Sequence, residues 1–517
     1  MTRSIERRDF LAELGALAYL TTGAPNVWRI SSTARIQSDP FTLGVASGDP
    51  TATGAVIWTR LAPQPLEPDG GMSGQRINVD WQVAEDEQFG RIVQRGRVAA
   101  VPELGFSLHV DVSGLQGDRW YCYRFMIGNG ASPVGRLRTA PAAGAQAAMT
   151  MAFVSCQHWE QGLYTAYDHL SKEDRLDLVA HLGDYIYEYG PIEGRTRRYA
   201  STEVRTLDQY RARYAQTKSD AFLRAAHARA PWIVTWDDHE VDNNYANLVG
   251  ENVMESEEQM RLRRAAGYQA WWEHMPVRVP RARNWADLNI TKRLDWGALA
   301  SFHVLDTRQY RSDQPCADGI KDTPCGEWGN AAHTLLGAEQ ERWLDAGLSG
   351  SPAGWQVLAQ QIRVAPYDEK PGAGERYSMD QWSGYPAAIG RLMASINQRA
   401  RNRTVVITGD IHSNWVNELR TRYDRPGMPV IGAEFVGTSI SSGGDGTDEF
   451  DNWNETRVGN PFCKWHNNRR GYVMNAIGAD EWKASYRVVP FVTRPGAPVQ
   501  TAAEFITRKG RPGIEKV

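Results

Sequence analysis

Residues Leu178–Tyr187 read Leu-Val-Ala-His-Leu-Gly-Asp-Tyr-Ile-Tyr, an apolar run of strand type that ends in a Gly-Asp pair. Short apolar runs bounded by a turn are typical of buried strands in α/β sheets. A carboxylate placed just after such a strand lies at the carboxyl edge of the sheet, where open α/β proteins place their functional sites. The segment therefore predicts an α/β fold with a site at one sheet edge.

The same arrangement occurs at three further points of the chain. Each is an apolar run followed directly by polar residues: Phe153–Gln157, Ile233–Glu240 and Val405–His412. Because the carboxyl ends of parallel strands meet at one edge of a sheet, we expect these polar residues to converge. The coincidence of four such clusters favours one shared site.

The side chains of these clusters are metal ligands that complement one another. Tyr187 lies three residues after Asp184, so in a turn that follows a strand both side chains can face one centre. A phenolate and a carboxylate suit a hard, highly charged ion such as Fe(III), and the thiolate of Cys156 is compatible with iron. His412 can add an imidazole. We therefore expect an iron site here.

A second group of ligands is rich in oxygen. Asp184, Asp238 and Asp410 supply carboxylates, which suit Ca²⁺ or Mg²⁺ better than Zn²⁺. Asp184 would then bridge two metals that lie roughly 3.5–4 Å apart, the usual separation in two-metal sites. His239 follows Asp238 in a cleft of negative charge, and we assign it a catalytic role, either as a hydrogen-bond donor to phosphate or as a proton donor.

Each residue also has a structural interpretation when it is taken alone. Cys156 alone is more often a buried apolar thiol, and Tyr187 alone a packing aromatic. Arg308 follows another apolar run, and it is either a phosphate-binding residue or part of a buried Asp–Arg pair that holds the loop. The recurrence of compatible ligands at four strand ends favours a metal site.

The composition is that of a globular protein too long for one hydrophobic core. The chain has 517 residues, of which 42% are hydrophobic and 23% charged, and this length predicts two domains. The net charge of −3 and the lack of a basic run argue against a protein specific for nucleic acids. After the N-terminal segment, no apolar run reaches the ~18 residues that a membrane helix needs.

Residues 1–35 resemble an export signal. Arg7 and Arg8 precede Phe10-Leu11 and a weakly apolar stretch, as in twin-arginine signals, which carry proteins that are already folded with their metals. The alternative is an ordinary amphipathic helix, and Glu13 departs from the signal pattern. We expect a secreted, periplasmic or cell-surface protein.

The cysteines fit an oxidising compartment. Cys316 and Cys325 bracket a short loop and are predicted to form a disulfide. Cys122 lies in a strand pattern and is interpreted as a small buried side chain, while Cys463 has no evident partner. Cys156 is the cysteine that we assign to chemistry.

Two patterns divide the rest of the chain. Residues 40–140 contain short strand-like runs separated by Gly-rich turns, which predicts an immunoglobulin- or fibronectin-like β-sandwich. Residues 150–500 alternate strands with helices, which predicts a catalytic α/β domain of mixed sheets flanked by helices. The helices expected there are Tyr164–Glu173, Thr206–Ala230, Val253–His274 and Tyr385–Ala400. Residues 501–517 are expected to form a tail or a short helix, Thr501–Arg508.

Together these clusters closely resemble the PhoD-like alkaline phosphatase (alkaline phosphatase D) family of the calcineurin-like metallophosphoesterases. The similarity extends from Phe41–Pro50 to about Ile440. Five strings carry it: Ser155–Gln157, His181–Glu188, Trp236–Glu240, Asp306–Cys316 and Gly409–Trp415. The resemblance implies a metallophosphoesterase sandwich of mixed sheets preceded by an all-β domain. It also implies a secreted hydrolase of phosphate monoesters and diesters that holds one Fe(III) and Ca²⁺.

The resemblance also implies roles for particular residues. Cys156, Asp184 and Tyr187 match the iron-binding motifs of the family, and metal-activated hydroxide or oxide would attack the phosphorus. Comparison with the superfamily motifs Gly-Asn-His-Asp/Glu and Gly-His-x-His adds three metal ligands: Asp238, Asp410 and His412. Aspartate replaces the neutral Asn and the first His of those motifs here, which favours Ca²⁺ at the second position. The family's C-terminal helix that covers the site is not evident in this chain.

Two alternative functions stay open at this point. One is a dedicated phosphodiesterase with phospholipase D-type activity, since the walls of the cleft decide which esters enter. The other is a non-catalytic cell-surface binding protein built on the β-sandwich. For the enzyme, we expect a small-molecule or polymeric phosphoester as the partner, no specific binding of nucleic acid, no transmembrane segment and a monomeric state.

Overall fold

The computed structural model describes residues 38–72, 74–252, 254–425 and 427–517. The export signal predicted for residues 1–35 lies outside these ranges. Within them, no helix is both long and apolar enough to cross a membrane.

Strands dominate the described residues. In chain order they are β1 Val45–Thr51, β2 Gly54–Arg60, β3 Ile77–Ala84, β4 Ile92–Ala100, β5 Ser107–Val112, β6 Trp120–Ile127, β7 Gly130–Ala131, β8 Gly135–Arg138, β9 Met149–Val154, β10 Leu178–His181, β11 Pro231–Val234, β12 Lys292–Trp296, β13 Ala300–Val304, β14 Ile320–Thr323, β15 Trp355–Ala359, β16 Glu375–Ser378, β17 Thr404–Thr408, β18 Asn414–Arg420, β19 Val430–Val436, β20 Gly446–Thr447, β21 Cys463–Ile477, β22 Glu481–Val489, β23 Gln500–Arg508 and β24 Glu515–Lys516.

The α-helices among the described residues lie between β9 and β21 in this order. They are α1 Thr165–Ser171, α2 Leu207–Lys218, α3 Ala221–Arg229, α4 Glu257–His274, α5 Gly337–Gly350, α6 Pro386–Arg399 and α7 Trp453–Thr456.

Two mixed sheets share one long strand, β21. The first has the order β5-β2-β1-β11-β10-β9-β21-β22-β23-β24, in which β1, β11, β10 and β9 are parallel. The second has the order β12-β13-β15-β17-β19-β18-β21, in which β13, β15, β17 and β19 are parallel. The first part of β21 pairs with β18 and its later part with β9 and β22, so this strand passes from one sheet to the other.

The two sheets enclose a shared apolar core. Buried side chains from both sheets meet in it, among them Phe153, Phe302, Phe435 and Trp482. Helices α1 to α4 pack on the first sheet, and α5 and α6 pack on the second. The predicted arrangement of mixed sheets flanked by helices is therefore confirmed.

The N-terminal residues from 40 to 140 contain strands and one short 3₁₀ helix, but they share a sheet with the rest of the chain. β1 pairs in parallel with β11, so β1, β2 and β5 extend the first large sheet. A separate N-terminal sheet of β3, β4, β6, β7 and β8 packs on these strands over a core that includes Ile57, Phe106 and Phe125. The change of pattern near residue 140 is therefore not a break in the sheet.

The structure corrects two of the predicted helices. The helix predicted over Thr206–Ala230 is two helices, α2 and α3, because the Asp220 side chain accepts hydrogen bonds from Phe222 N (2.9 Å) and Leu223 N (3.2 Å) and starts a new helix. The short helix predicted over Thr501–Arg508 is wrong. This segment is strand β23, which pairs with β22 and places Ala503 and Phe505, two residues apart, in the core.

Other predictions differ less. Helix α4 begins at Glu257, where Ser256 and Gln259 form a capping box, rather than at residue 253, which lies outside the described ranges. Helix α5 was not predicted, and it packs Leu344 and Leu348 against the second sheet. The disulfide between Cys316 and Cys325 is confirmed.

Candidate metal centre

The predicted site residues lie just beyond the strand ends of both sheets. Cys156 follows β9, Asp184 follows β10, Asp238 follows β11, and Asp410 and His412 follow β17. The parallel strands β9, β10 and β11 end at one edge of the first sheet, and β17 ends beside them in the second. The four clusters of the sequence therefore converge, as the strand pattern predicts.

Several of these residues have an unusual backbone conformation. The φ angles of Cys156 (58°), Asp184 (55°), Asp410 (65°) and His412 (53°) are all positive. Non-glycine residues in this region cost about 1–3 kcal/mol each and concentrate at functional sites. The hydrogen bond from Cys156 N to the carbonyl of Gly183 (3.1 Å) helps to hold one of these turns in place.

Glu240 ties two of the loops together. Its buried carboxylate accepts hydrogen bonds from the backbone N–H groups of Asp184 (3.1 Å), Tyr185 (2.6 Å) and Asp237 (2.7 Å). Gly183 allows the close approach of the same loops, since a Cβ atom there would lie 2.4 Å from Asp237 Cβ. The loops after β10 and β11 thus form one rigid unit.

One group of side chains combines sulfur, oxygen and nitrogen. Ligand atoms of Cys156, Asp184 and His412 all lie within 4.8 Å of one another. Tyr187 Oη joins them, because it donates to Asp184 Oδ2 (2.9 Å) and lies 3.1 Å from His412 Nε2. Asp184 Oδ1 is buried and has no hydrogen-bond partner among the described residues. This donor set fits a metal ion, and the unpaired Asp184 oxygen is free to act as one of its ligands.

The protein environment disfavours the charged forms of these groups. Burial raises the pKa of Cys156 and that of Tyr187 well above their usual values, and the neighbouring Asp184 adds to both effects. Burial also raises the pKa of Asp184 itself and lowers that of His412 to about 3. A cation in this position would favour the thiolate, the phenolate and the neutral imidazole, which are the ligating forms.

A second group consists of carboxylates. Oxygen atoms of Asp237, Asp238 and Asp410 lie within 4.8 Å of one another, and Asp184 is grouped in the same way with Asp238 and His239. Asp237 Oδ2 and Asp238 Oδ1 are buried and accept no hydrogen bond from the described residues. Such an oxygen-rich cluster fits a hard divalent cation such as Ca²⁺ or Mg²⁺, and Asp184 belongs to a group on each side.

Arg308 neutralises part of this cluster. Its buried guanidinium donates to Asp237 and to Asp380 Oδ1 (2.7 Å), and its third nitrogen lies 3.3 Å from Asp238 Oδ1. These contacts correspond to the buried Asp–Arg interpretation of the sequence. Gln381 also contacts the cluster, donating to Asp410 Oδ2 at 2.6 Å.

His239 is held by a residue that sequence reasoning missed. Its Nδ1 lies 2.8 Å from Glu188 Oε2, and its ring centroid lies 4.1 Å from that of Tyr187. Burial lowers the pKa of His239, but Glu188, Asp238 and Asp184 outweigh burial and raise this pKa well above its usual value. The imidazole is therefore set up as a hydrogen-bond or proton donor. The only sign of Glu188 in the sequence is its position directly after Tyr187.

We expect Glu188→Gln to lower kcat by roughly 10- to 100-fold, because Glu188 orients the imidazole of His239, to which we assign a catalytic role, and raises its pKa. The catalysed rate measures the effect, and circular dichroism confirms the fold. Glu193→Gln is the control, since Glu193 is an exposed carboxylate that belongs to none of the candidate metal groups of the described residues. Equal rates for Glu188→Gln and the wild type would contradict the role of Glu188.

Two solved structures share the fold of this chain. A purple acid phosphatase from yellow lupin (Lupinus luteus) seeds has the same fold, with a TM-score of 0.53 at 12% identity over 90% of this chain and 73% of that chain. A structure of PhoD superposes with a TM-score of 0.91 at 50% identity, covering 94% of this chain and 93% of that chain.

Sequence comparisons identify the family. Residues 151–486 match the family model for PhoD-like phosphatase, and residues 27–141 match that for the N-terminal domain of PhoD-like phosphatases. The chain is 48% identical to alkaline phosphatase D of Bacillus subtilis (strain 168) over 525 residues, which cover 99% of this chain and 89% of that protein. The chain belongs to the PhoD-like phosphatase family and is a phosphoric ester hydrolase.

Proposed function

We propose that the protein hydrolyses phosphate monoesters and diesters at a centre that holds one Fe(III) and Ca²⁺. The observation that supports this most strongly is the meeting of a thiol, a phenol, a carboxylate and an imidazole just beyond the ends of three strands, β9, β10 and β17. The adjoining carboxylate cluster supports a second, harder cation. Family membership supports the reaction class.

In this proposal, Cys156, Asp184, Tyr187 and His412 hold iron, while Asp238 and Asp410 hold Ca²⁺ together with Asp184. Bound ions of this kind polarise the phosphoryl group and activate water. His239, kept protonated by Glu188, donates a hydrogen bond to a phosphate oxygen or a proton to the departing alkoxide. Arg308 stays with its carboxylates and positions Asp237 and Asp238.

The export route and the domain division predicted from the sequence belong to the same proposal. We propose export by the twin-arginine route, which suits a metal-loaded protein with a disulfide between Cys316 and Cys325. We also propose an immunoglobulin-like N-terminal domain over residues 40–140 and a catalytic domain that starts at residue 150 and extends through β23 and β24. The non-catalytic binding alternative is set aside, because the chain belongs to a family of phosphoric ester hydrolases.

Assays of the purified protein with a chromogenic monoester and a chromogenic diester, with and without a calcium chelator, test the proposal. We expect turnover of both esters, loss of turnover on chelation and recovery when Ca²⁺ is returned. Turnover of the diester alone would support the phospholipase D-type alternative instead. Absence of turnover with iron and Ca²⁺ both supplied would contradict the proposed function.

We expect Asp410→Ala to raise the Ca²⁺ concentration for half-maximal activity by roughly 10- to 100-fold, since loss of one carboxylate ligand weakens a Ca²⁺ site on this scale. Iron content should stay unchanged, because Asp410 belongs to the carboxylate cluster and not to the sulfur-containing group. Calcium titration of activity and elemental analysis measure the two effects. Asp448→Ala is the control, because Asp448 is an exposed residue paired with Arg469. Wild-type calcium dependence in Asp410→Ala would contradict the assignment.

A further inference from the structure

A cavity of about 300 Å³ adjoins the candidate metal centre. Gln381 lines this cavity and donates to Asp410 Oδ2 at 2.6 Å. Ile411, which lies between Asp410 and His412 in the chain, lines it as well. None of the candidate metal ligands lines the cavity itself, so Gln381 and Ile411 are the residues that connect it to the carboxylate cluster.

The walls of the cavity are aromatic. The rings of Tyr367 and Trp415 lie 4.6 Å apart between centroids, and Phe450 lies 5.6 Å from Trp415. Their faces and edges offer apolar contact to a flat group. Tyr367 and Trp415 belong to one buried apolar cluster, and Phe450 packs against it. This packing holds the walls of the cavity in place.

Arg363 gives the cavity an unpaired positive charge. The residue is 4% exposed, yet its guanidinium forms no hydrogen bond and no ion pair with any of the described residues. Its central carbon lies 5.1 Å from the ring centroid of Tyr367 and 5.0 Å from that of Trp415. Buried charges are normally paired, and ring contacts replace only part of the lost hydration. Arg308 shows the ordinary case, since carboxylates surround it.

The neighbours of Arg363 do not supply the missing negative charge. Glu369 lines the same cavity, but among the described residues no ion pair within 4 Å joins it to Arg363, and burial raises its pKa. His466, which contacts Trp415 and Phe450, has a pKa lowered to about 3 by burial and so stays neutral. An anion bound in the cavity would supply this charge.

We propose that this cavity binds the leaving group of the substrate, and that the preferred leaving group carries a flat ring and a negative charge that pairs with Arg363. The charge is that of a carboxylate or of a second phosphate. In the reaction, the oxygen of water bonds to phosphorus, the bond from phosphorus to the leaving oxygen breaks, and that oxygen takes up a proton. This inference rests on the proposed function, because the cavity selects esters that the centre hydrolyses.

Two matched esters test the inference: 4-carboxyphenyl phosphate and its neutral counterpart, 4-(methoxycarbonyl)phenyl phosphate. We expect the wild type to have a KM for the carboxylate ester that is roughly 10- to 100-fold lower, as charge-assisted hydrogen bonds contribute on this scale. Arg363→Gln should bring the KM values of the two esters to within about twofold of each other. Phenyl phosphates that carry a second phosphate in place of the carboxylate show which anion is preferred.

Arg376→Gln is the control variant, because Arg376 is an exposed arginine of β16 that pairs with Asp322. It should keep the preference of the wild type. Equal KM values for the two esters in the wild type, or an equal loss of both activities in Arg363→Gln, would overturn the inference while the proposed function stands. If the wild type hydrolyses neither ester, nor any other monoester or diester, then the proposed function fails and the inference falls with it.

A second measurement covers the case in which Arg363→Gln does not fold. Competitive inhibition of the wild type by 4-hydroxybenzoate and by its methyl ester compares the same two groups without any substitution. We expect the carboxylate to inhibit roughly 10-fold more strongly. Equal inhibition by both compounds would overturn the inference.

Discussion

Asp184→Asn should lower kcat/KM by roughly 10³-fold or more and reduce the content of both iron and calcium, because one carboxylate serves both candidate metal groups. Asp184 is grouped with Cys156 and His412 on one side and with Asp238 and His239 on the other. Its Oδ1 is buried and lacks a hydrogen-bond partner among the described residues. The amide of asparagine keeps the shape but offers no negative charge, so it weakens both groups at once.

A matched control separates this effect from a loss of stability. Asp177 is also a buried aspartate, but it pairs with Arg138 and accepts from Thr150 N, away from the candidate centre. Asp177→Asn should unfold at a lower temperature and keep the metal content and the kcat of the wild type. Wild-type kcat/KM in Asp184→Asn, measured with an aryl phosphate, would contradict the shared role of this carboxylate.

Cys156→Ser should lose most of the iron and most of the visible absorption that thiolate and phenolate ligands of Fe(III) produce. A serine hydroxyl is a far poorer ligand than a thiolate, and the Cys156 side chain is buried against Asp184 and Tyr187. We expect kcat to fall by about 10²-fold or more when the ion is lost. Elemental analysis and the visible spectrum of the purified variant measure the effect.

The chain offers its own controls for this substitution. Cys122 and Cys463 are the other buried free cysteines among the described residues, and neither belongs to the candidate centre. Cys463→Ser and Cys122→Ser should retain iron, colour and turnover. An unchanged iron stoichiometry in Cys156→Ser would refute Cys156 as a ligand.

The sequence predicts those site residues that directly follow an apolar strand pattern. A buried strand followed by a polar turn places its side chains at the sheet edge whatever the distant chain does, so Asp184, Tyr187, Asp238 and Asp410 could be grouped beforehand. Asp380 and Gln381 follow no such strand. They reach Arg308 and Asp410 only through the folding of a loop between β16 and α6. Contacts of this kind depend on tertiary packing and have no local signal.

In the fold, too, local patterns predict the individual strands but not how distant strands pair. The strands around the core follow from apolar runs, but the parallel pairing of β1 with β11 joins residues about 180 positions apart and leaves no mark in either segment. Residues Thr501–Arg508 include Ala-Ala-Glu-Phe, which suits a helix as well as a strand. Pairing with β22 decides the outcome, since it buries Ala503 and Phe505 in the core between the sheets.

An anomalous-scattering map of a crystal of the wild type, grown with iron and calcium and measured at the iron absorption edge, tests the central claim most directly. We expect one iron peak within about 2.5 Å of Cys156 Sγ, Tyr187 Oη and a carboxylate oxygen of Asp184, as metal–ligand bonds require. A second, calcium peak should lie among Asp184, Asp238 and Asp410. A map with no transition-metal peak beside Cys156 and Tyr187 would contradict the account.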